Sequence, residues 1–280
     1  MKDIIQKKLE SYRAQNPEEE ENAIKEITQE VALYALGQSG FFEKACFQGG
    51  TALRILYKLD RFSEDLDFAL AQKDEHFSII PYLEQTSKIM KKYGYDIEIT
   101  GKEEIERSVK KHFLKDESIV KLLTFKHSSD LRKKIKVKIE LDTNPPKGSS
   151  SEIKYCDFPI DFSVRSHDLP SLMAGKLHAL LCRTFLKGRD WYDFSWYVAQ
   201  GIQPNFLFLQ NSLYQQGPLK DLEIEVNSDW LKKNMYSKVN SVDWKDARED
   251  VFRFLKEDKL QSLSLWSEDF FLSKVDKMGA

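Results

Sequence analysis

Residues 47–68 read FQGGTALRILYKLDRFSEDLDF, and this stretch decides the fold of the N-terminal half. The apolar residues before the glycines predict a strand, and a helix, Ala52–Leu59, is predicted to follow with Thr51 as its cap. Gly49 and Gly50 lie between the two elements and let the backbone approach an anion closely, because neither residue has a β-carbon. The free N–H groups of the helix N-terminus therefore predict a phosphate-binding site above the two glycines.

An alternation of acidic and apolar residues follows at positions 65–68. On an extended strand, Asp65 and Asp67 would point to one face, while Leu66 and Phe68 would point into a core. Two such carboxylates repel each other unless a cation neutralises them, and Mg²⁺ prefers oxygen ligands supplemented by substrate phosphates. Two ions about 4 Å apart could support nucleotidyl transfer from a triphosphate.

Each of these two motifs has an ordinary interpretation when it stands alone. An isolated pair of aspartates could face solvent on an exposed strand, and a lone diglycine could be a simple turn. Here Asp65 follows Gly50 by 15 residues, with Arg61 and Ser63 in between. The combination favours a site for a nucleoside triphosphate.

The chain resembles the AbiEii/AbiGii toxin family, nucleotidyltransferases of the DNA polymerase β-like superfamily found in type IV toxin–antitoxin and abortive phage infection systems. The resemblance rests on GGTALR, RFSEDLDF, KIELD, and a later lysine with RDWYDF, and it spans about residues 40 to 200. It implies Mg²⁺-dependent transfer of a nucleotide from a triphosphate, with release of pyrophosphate. In relatives the acceptor is the 3′ end of tRNA, and a cognate antitoxin is a possible partner.

The KIELD segment is expected to supply a third metal ligand beside Asp65 and Asp67. Lys138, Glu140 and Asp142 share one face of the predicted strand. The superfamily pattern places an acid between two apolar residues, which favours Glu140. Asp142 remains the alternative, since it lies at the strand end beside a loop.

The later block adds three candidate catalytic residues. Lys176 lies in the otherwise apolar helix SLMAGKLHALL, and the resemblance assigns it a contact with phosphate; the alternative is a surface lysine whose head reaches water. Asp190 and Asp193 are three residues apart and so share a helical face. They could orient Lys176 or activate the acceptor hydroxyl, although Asp190 could simply be a first-turn acid of its helix.

Arginine and serine side chains near the diglycine complete the predicted nucleotide site. Arg54 and Arg61 suit phosphate oxygens, and Ser63 could donate a hydrogen bond near the triphosphate. Arg54 could instead be an exposed helix residue. The predicted nucleotide-binding residues are Gly49, Gly50, Thr51, Arg54, Arg61, Ser63 and Lys176.

The patterns predict an α+β protein with a nucleotidyltransferase-fold, mixed or antiparallel sheet, flanking helices and a helical C-terminal region. Residues 1–160 are expected to form the core with its N-terminal helices, and residues 161–280 the helical region that contributes active-site residues. The predicted elements are helices at 2–14, 18–37, 76–92, from 170 and at 190–200, and strands at 65–68, 95–100, 108–114, 120–127 and 135–141.

The composition of the chain indicates its cellular compartment and limits its possible partners. The chain has 280 residues, of which 41% are hydrophobic and 31% charged. It contains neither a secretory leader pattern nor an apolar run long enough for a membrane, so a cytoplasmic protein without a membrane partner is expected. A net charge of −2 argues against a general nucleic-acid binder. Any RNA contact must be local, and the candidate basic residues are Arg132, Lys133, Lys134, Lys136, Lys138, Lys187 and Arg189.

The sequence is also compatible with other functions. A GTP- or NTP-binding protein without transfer activity would need the same ligand groups. A nucleotidyltransferase that modifies a protein or a small molecule would use the same metal and phosphate contacts. The C-terminal helices could also serve chiefly to dock an antitoxin on a vestigial core.

Overall fold

The computed structural model describes residues 2–102, 108–116, 118, 121, 123–127, 134–218, 220 and 225–278. The chain forms two compact units. The sheet unit comprises Met1–Lys58, Phe62–Pro145 and Ile153–Ser166, and the helical unit comprises Leu59–Arg61, Pro146–Glu152 and His167–Ala280. The division after residue 160 stays a prediction.

The sheet is mixed, as predicted. Its strands within the described ranges are β1 (Ala45–Gln48), β2 (Asp65–Leu70), β3 (Glu98–Lys102), β4 (Val109–Asp116), β5 (Ile135–Asp142), β6 (Ser151–Cys156) and β7 (Phe162–His167). They lie in the order β3-β4-β5-β2-β1-β7-β6. The β2–β5 and β1–β7 pairs are parallel, whereas β1–β2, β3–β4 and β4–β5 are antiparallel. The α+β class is therefore confirmed.

Helices of the sheet unit follow the sequence signals for helix ends. They are α1 (Lys2–Ser11), α2 (Pro17–Gln38), α3 (Gly49–Tyr57) and α4 (Ile80–Lys91), with a 3₁₀ turn at Phe41–Glu43. At the start of α2, the Asn16 side chain accepts a hydrogen bond from the Glu19 N–H, and Pro17 occupies the first turn. This combination fixes the start of α2 within one residue of the predicted boundary.

The β2 strand has the predicted period of two. Leu66 and Phe68 are 0% and 1% exposed, whereas Asp65 and Asp67 are half-buried. Burial of the apolar side chains holds the strand in one register, since a slip by one residue would turn the two carboxylates into the core. The aspartates therefore keep a common face.

The helix after the diglycine starts earlier than predicted. It begins at Gly49, with Gln48 at the cap position and no side-chain capping bond. Gly49 has a φ of +79°, which lets the chain turn directly from β1 into α3. The predicted cap at Thr51 is wrong, because the buried Thr51 hydroxyl donates instead to the Asp65 carbonyl oxygen.

The strand predicted at residues 120–127 is also wrong for the described part of that segment. Residue 121 is helical, and residues 123–127 lie in no strand. The N–H groups of Lys126 and His127 donate to the Glu20 carboxylate, at 2.6 and 3.0 Å. These amides are therefore satisfied by a side chain of α2 rather than by a neighbouring strand.

The helical unit has an aromatic core. Its main helices within the described residues are α5 (Leu169–Cys182), α6 (Gly188–Ala199), α7 (Phe206–Gln215), α8 (Ser228–Val239), α9 (Trp244–Phe252) and α10 (Glu268–Lys277), with a 3₁₀ segment at Glu257–Leu265. Trp244 stacks on Phe271 with 4.2 Å between ring centroids, and the buried Trp191 meets both rings edge-on. Trp191 is thus a core residue. Among the described residues, we find no helix with the length and apolarity needed to span a bilayer.

Candidate active site

The diglycine turn brings the backbone against a carboxylate. A β-carbon on Gly49 would clash with the Asp67 carboxylate and would lie 3.0 Å from the Asp67 Cβ. The first turn of α3 follows directly, and no side chain caps it. The N-terminus of an α-helix carries free N–H donors and a partial positive charge. The turn at Gly49 and Gly50 therefore offers an anion site next to Asp67.

The strands β2 and β5 place three acidic residues on one face. Asp65 pairs with Lys138, and Asp67 pairs with Glu140 in the parallel register. Paired residues on neighbouring strands point to the same side of a sheet. Asp65, Asp67 and Glu140 therefore lie on a common face, as their proposed roles require.

The same register distinguishes the two candidates for the third acid. Asp142 pairs with Ala69, two residues further along β2 than the Asp67–Glu140 pair. One Asp142 oxygen accepts a hydrogen bond from the Asn144 N–H at 2.9 Å, and burial raises the pKa of Asp142. Glu140 is therefore the better placed partner for Asp67.

Two lysines hold the Glu140 carboxylate. The Nζ atoms of Lys138 and Lys111 lie 2.7 Å and 3.1 Å from Glu140 Oε1, and Lys138 Nζ is also 3.7 Å from Asp65 Oδ2. Burial raises the pKa of Glu140, but the hydrogen bonds from Lys138 and Lys111 outweigh it and hold the pKa below its usual range. Burial lowers the pKa of Lys138, and its acidic neighbours raise it by more. These groups are therefore ionised at neutral pH.

The donor chemistry of this face fits magnesium. Asp65, Asp67 and Glu140 supply carboxylate oxygens, the ligands that Mg²⁺ prefers. Within the described part of the chain, no three acidic, histidine or cysteine side chains are gathered closely enough to hold a metal as they stand. A cation nevertheless lies between acids of both strands, because the Lys138 ammonium contacts Glu140 and Asp65. The face thus already holds a positive charge.

Arg54 and Ser63, predicted to hold phosphate, are engaged with α2 and the adjoining loop. Arg54 Nε donates to Glu26 Oε2 at 2.7 Å, and its guanidinium lies 4.6 Å from the centre of the Phe62 ring. The Ser63 carbonyl oxygen accepts from Gln29 Nε2 at 3.0 Å, and the Ser63 side chain is half-buried. Neither the direct contact of Arg54 with phosphate nor that of Ser63 is tested, and both stay predictions.

The helical unit contains a buried cluster of charges formed by Arg61, Lys176, Arg183, Asp190 and Asp193. Arg61 donates through Nε and Nη2 to the two Asp193 oxygens, each at 2.6 Å, and both side chains are almost fully buried. Lys176 Nζ lies 2.8 Å from Asp190 Oδ1 and 2.8 Å from Asp193 Oδ2. Arg183 contacts the other Asp190 oxygen.

The charges of this cluster support one another. Burial alone would raise the pKa of Asp190 and of Asp193, but the adjacent cations lower both below their usual range. Burial lowers the pKa of Lys176, and the attraction of Asp190 and Asp193 more than offsets it. Lys176, Asp190 and Asp193 therefore stay charged, because each buried ion has partners of opposite charge. Both aspartates contact Lys176, and their role in orienting it stays a prediction.

Three charged residues of these sites were not predicted from the sequence. Lys111, Glu26 and Arg183 each neutralise a predicted site residue. Each of the three pairs with a residue in a different element, so local periodicity of the sequence gives no sign of them. Of the predicted basic patch, Arg132 and Lys133 lie outside the described residues, and Lys136 lies 3.9 Å from the centre of the Phe113 ring.

A mixed sheet with a diglycine turn beside facing carboxylates is the arrangement of a nucleotidyltransferase. A family model described as "Nucleotidyl transferase AbiEii toxin, Type IV TA system" matches residues 31–273. The chain belongs to this family of toxins, and the predicted family and enzyme class are confirmed. No curated protein sequence matches the chain.

Solved structures share the fold at low sequence identity. MenT4, a nucleotidyltransferase toxin from Mycobacterium tuberculosis, is 14% identical, with 98% of this chain and 99% of that chain covered and a TM-score of 0.51. JHP933 from Helicobacter pylori is 18% identical, with 90% and 89% covered and a TM-score of 0.50. At these identities the likeness shows a common fold over nearly the whole chain.

Proposed function

We propose that this toxin transfers a nucleotide from a nucleoside triphosphate to the 3′ end of tRNA in a Mg²⁺-dependent reaction. The observation that carries the proposal is the register of β2 and β5, which sets Asp65, Asp67 and Glu140 on one face, with Asp67 against Gly49. Carboxylates on this face and an uncapped helix N-terminus beside it are complementary to a metal and to phosphates respectively.

Residues of the sheet unit would have two roles. The backbone N–H groups at Gly49, Gly50 and Thr51 would bind phosphate oxygens, and Asp65, Asp67 and Glu140 would hold magnesium. Bound magnesium would neutralise charge on the triphosphate and lower the pKa of the attacking hydroxyl. The acceptor hydroxyl would release its proton to solvent as its oxygen bonds to the α-phosphorus, the bond to the bridging oxygen would break, and pyrophosphate would leave with that electron pair.

Lys176 is the proposed contribution of the helical unit. Two aspartates hold its ammonium in one place, and Arg61 and Arg183 in turn neutralise those aspartates. A lysine fixed in this way meets phosphate without losing further side-chain entropy. We assign Asp190 and Asp193 to the positioning of Lys176, and Lys176 itself to phosphate.

Family membership supports the biological part of the proposal. Members of a type IV toxin–antitoxin family act beside an antitoxin, and we infer that this chain has a cognate antitoxin and acts in abortive phage infection. Both triphosphate and tRNA are cytoplasmic, so the reaction is placed in the cytoplasm. The tRNA acceptor rests on the resemblance to the AbiEii/AbiGii family.

The test is an incubation with each labelled triphosphate, total tRNA and Mg²⁺. We expect label on RNA with the wild type, and a loss of about 100-fold or more for Asp65→Asn and Asp67→Asn, since each removes one charged metal ligand. The exposed Asp161→Asn is the matched control and should transfer normally. Full activity of both site variants would refute the metal assignment. Label retained on the protein alone would support nucleotide binding or self-modification instead.

A further inference from the structure

Lys138 occupies an unusual position among the candidate metal ligands. It lies on β5 between the acids of two strands, with Nζ 2.7 Å from Glu140 Oε1 and 3.7 Å from Asp65 Oδ2. Its side chain is 28% exposed, which is close to the 23% of Glu140 and the 34% of Asp65. The ammonium is therefore partly shielded from water by the carboxylates it joins.

Lys111 offers an internal comparison. It approaches the same Glu140 oxygen at 3.1 Å, but it lies on β4, on the side of β5 away from β2, and its side chain is 55% exposed. An exposed ion pair contributes little because water and salt screen it. Among the described residues, Lys138 contacts an acid on each of β2 and β5, whereas Lys111 contacts Glu140 on β5.

We propose that Lys138 is a built-in competitor of the metal. Its ammonium neutralises Asp65 and Glu140 in the nucleotide-free protein, and a divalent ion must displace it to bind these acids. This inference rests on the proposed metal role of Asp65, Asp67 and Glu140. An ammonium 2.7 Å from Glu140 Oε1 and 3.7 Å from Asp65 Oδ2 repels a divalent cation that would bind the same carboxylates.

The competition has a functional consequence. Lys138 offsets one of the three carboxylate charges on the face, which weakens the attraction of the face for a divalent ion. A triphosphate supplies further negative oxygens, and it therefore shifts the competition toward the metal. Lys138 thus makes metal binding depend on the nucleotide, so that the face takes up magnesium together with its substrate.

The test is a calorimetric titration of nucleotide-free protein with Mn²⁺ at one fixed pH. We expect Lys138→Met to bind Mn²⁺ about tenfold more tightly or better than the wild type, because one competing charge is lost. Lys111→Met, the matched control, should change the affinity by less than about threefold, since its charge is screened. The advantage of Lys138→Met should shrink when a non-hydrolysable triphosphate is present.

Further variants keep the outcome decisive. Lys138→Arg should retain weak binding, and the double variant Lys138→Met with Glu140→Gln should lose the gain. If Lys138→Met does not fold, Lys138→Gln replaces it, with circular dichroism as the check. Unchanged or weaker Mn²⁺ binding by a folded variant overturns the inference, even if the wild type transfers nucleotide. Tighter binding without any transfer by the wild type upholds it and refutes the proposed function.

Discussion

At the level of single residues, Gly49 shows how closely the backbone approaches the Asp67 carboxylate, a proposed metal ligand. Its φ of +79° lies in the left-handed region, and a side chain there would collide with Asp67. The position therefore needs glycine for two independent reasons, the backbone conformation and the space.

Gly49→Ala tests this. We expect a loss of stability of about 1 kcal/mol or more from the backbone conformation, and a larger loss of triphosphate binding because Asp67 must move. Gly175→Ala in α5 is the control, since a β-carbon there meets no atom within 4 Å. Urea unfolding and fluorescence titration with a triphosphate analogue measure the two effects. Normal nucleotide affinity in Gly49→Ala would contradict the proposed phosphate site.

Glu30 is a buried acid that the proposed reaction does not use. Its Oε1 atom is 3.3 Å from Lys8 Nζ, and its buried Oε2 atom has no hydrogen-bond partner among the residues that the structure describes. Burial raises the pKa of Glu30 to about 7, and Lys8 only partly opposes this shift. The group therefore binds a proton more tightly in the folded than in the unfolded protein.

This pKa shift predicts the pH dependence of stability. Between the unfolded pKa of 4.5 and the folded pKa of about 7, the folded state holds more protons, so stability falls as the pH rises through this window. We expect Glu30→Gln to remove a decrease of about 3 kcal/mol in the unfolding free energy between pH 4.5 and 7.5. The exposed Glu84→Gln is the control. Parallel pH profiles of the wild type and Glu30→Gln would rule out this role.

At the level of elements, the parallel pairing of β2 with β5 decides which acid can join the aspartate pair. The alternation in KIELD puts Glu140 and Asp142 on the same face, so periodicity alone cannot separate them. The register does, because Glu140 lies opposite Asp67 and Asp142 lies opposite Ala69.

The corresponding experiment compares two conservative changes in β5. We expect Glu140→Gln to lower kcat for nucleotide transfer about 100-fold or more, as the loss of a metal ligand would. Asp142→Asn should cost less than about threefold, since the change is isosteric and its acceptor oxygen for Asn144 is kept. Equal losses in the two variants, or a larger loss for Asp142→Asn, would move the third ligand to Asp142.

At the level of the whole molecule, the net charge of −2 limits how RNA can bind. Several basic side chains already form ion pairs within the protein, as Lys138 does with Glu140 and Arg61 does with Asp193. The 43 lysines and arginines are outnumbered by 45 aspartates and glutamates, which disfavours a wide phosphate-binding surface, and each phosphate contact releases about one counterion. The protein should therefore hold tRNA through a small number of phosphates.

Salt dependence measures that number. We expect the slope of log affinity for tRNA against log salt concentration to be no steeper than about −4 between 50 and 200 mM salt. Filter binding or fluorescence anisotropy with Asp67→Asn, which we expect to be inactive, provides the measurement. A slope near that of a strongly basic RNA-binding protein would show a wide electrostatic footprint and contradict the local contact argued from charge.

Local chemistry accounts for the successful sequence predictions. The Asp65–Phe68 alternation and the Pro17 helix start depend on neighbours in the chain, and the structure has both. The predicted cap at Thr51 is wrong because the Thr51 hydroxyl donates a hydrogen bond to the carbonyl oxygen of Asp65, 14 residues away. The strand predicted at residues 120–127 is wrong in its described part because the carboxylate of Glu20, more than 100 residues earlier, accepts hydrogen bonds from two backbone N–H groups of this segment. Hydrogen-bond partners so distant in the chain cannot be predicted from the local periodicity of the sequence.

By itself, the sequence determined the family, the diglycine turn and the aspartate pair, since these follow from backbone freedom at Gly49 and from a period of two. Only the tertiary structure decided which charges meet. Arg54 pairs with Glu26 across 28 residues and Arg61 with Asp193 across 132 residues. The physical reason is that ion pairing depends on distance in space, and only the packing of helices and the register of strands brings those side chains together.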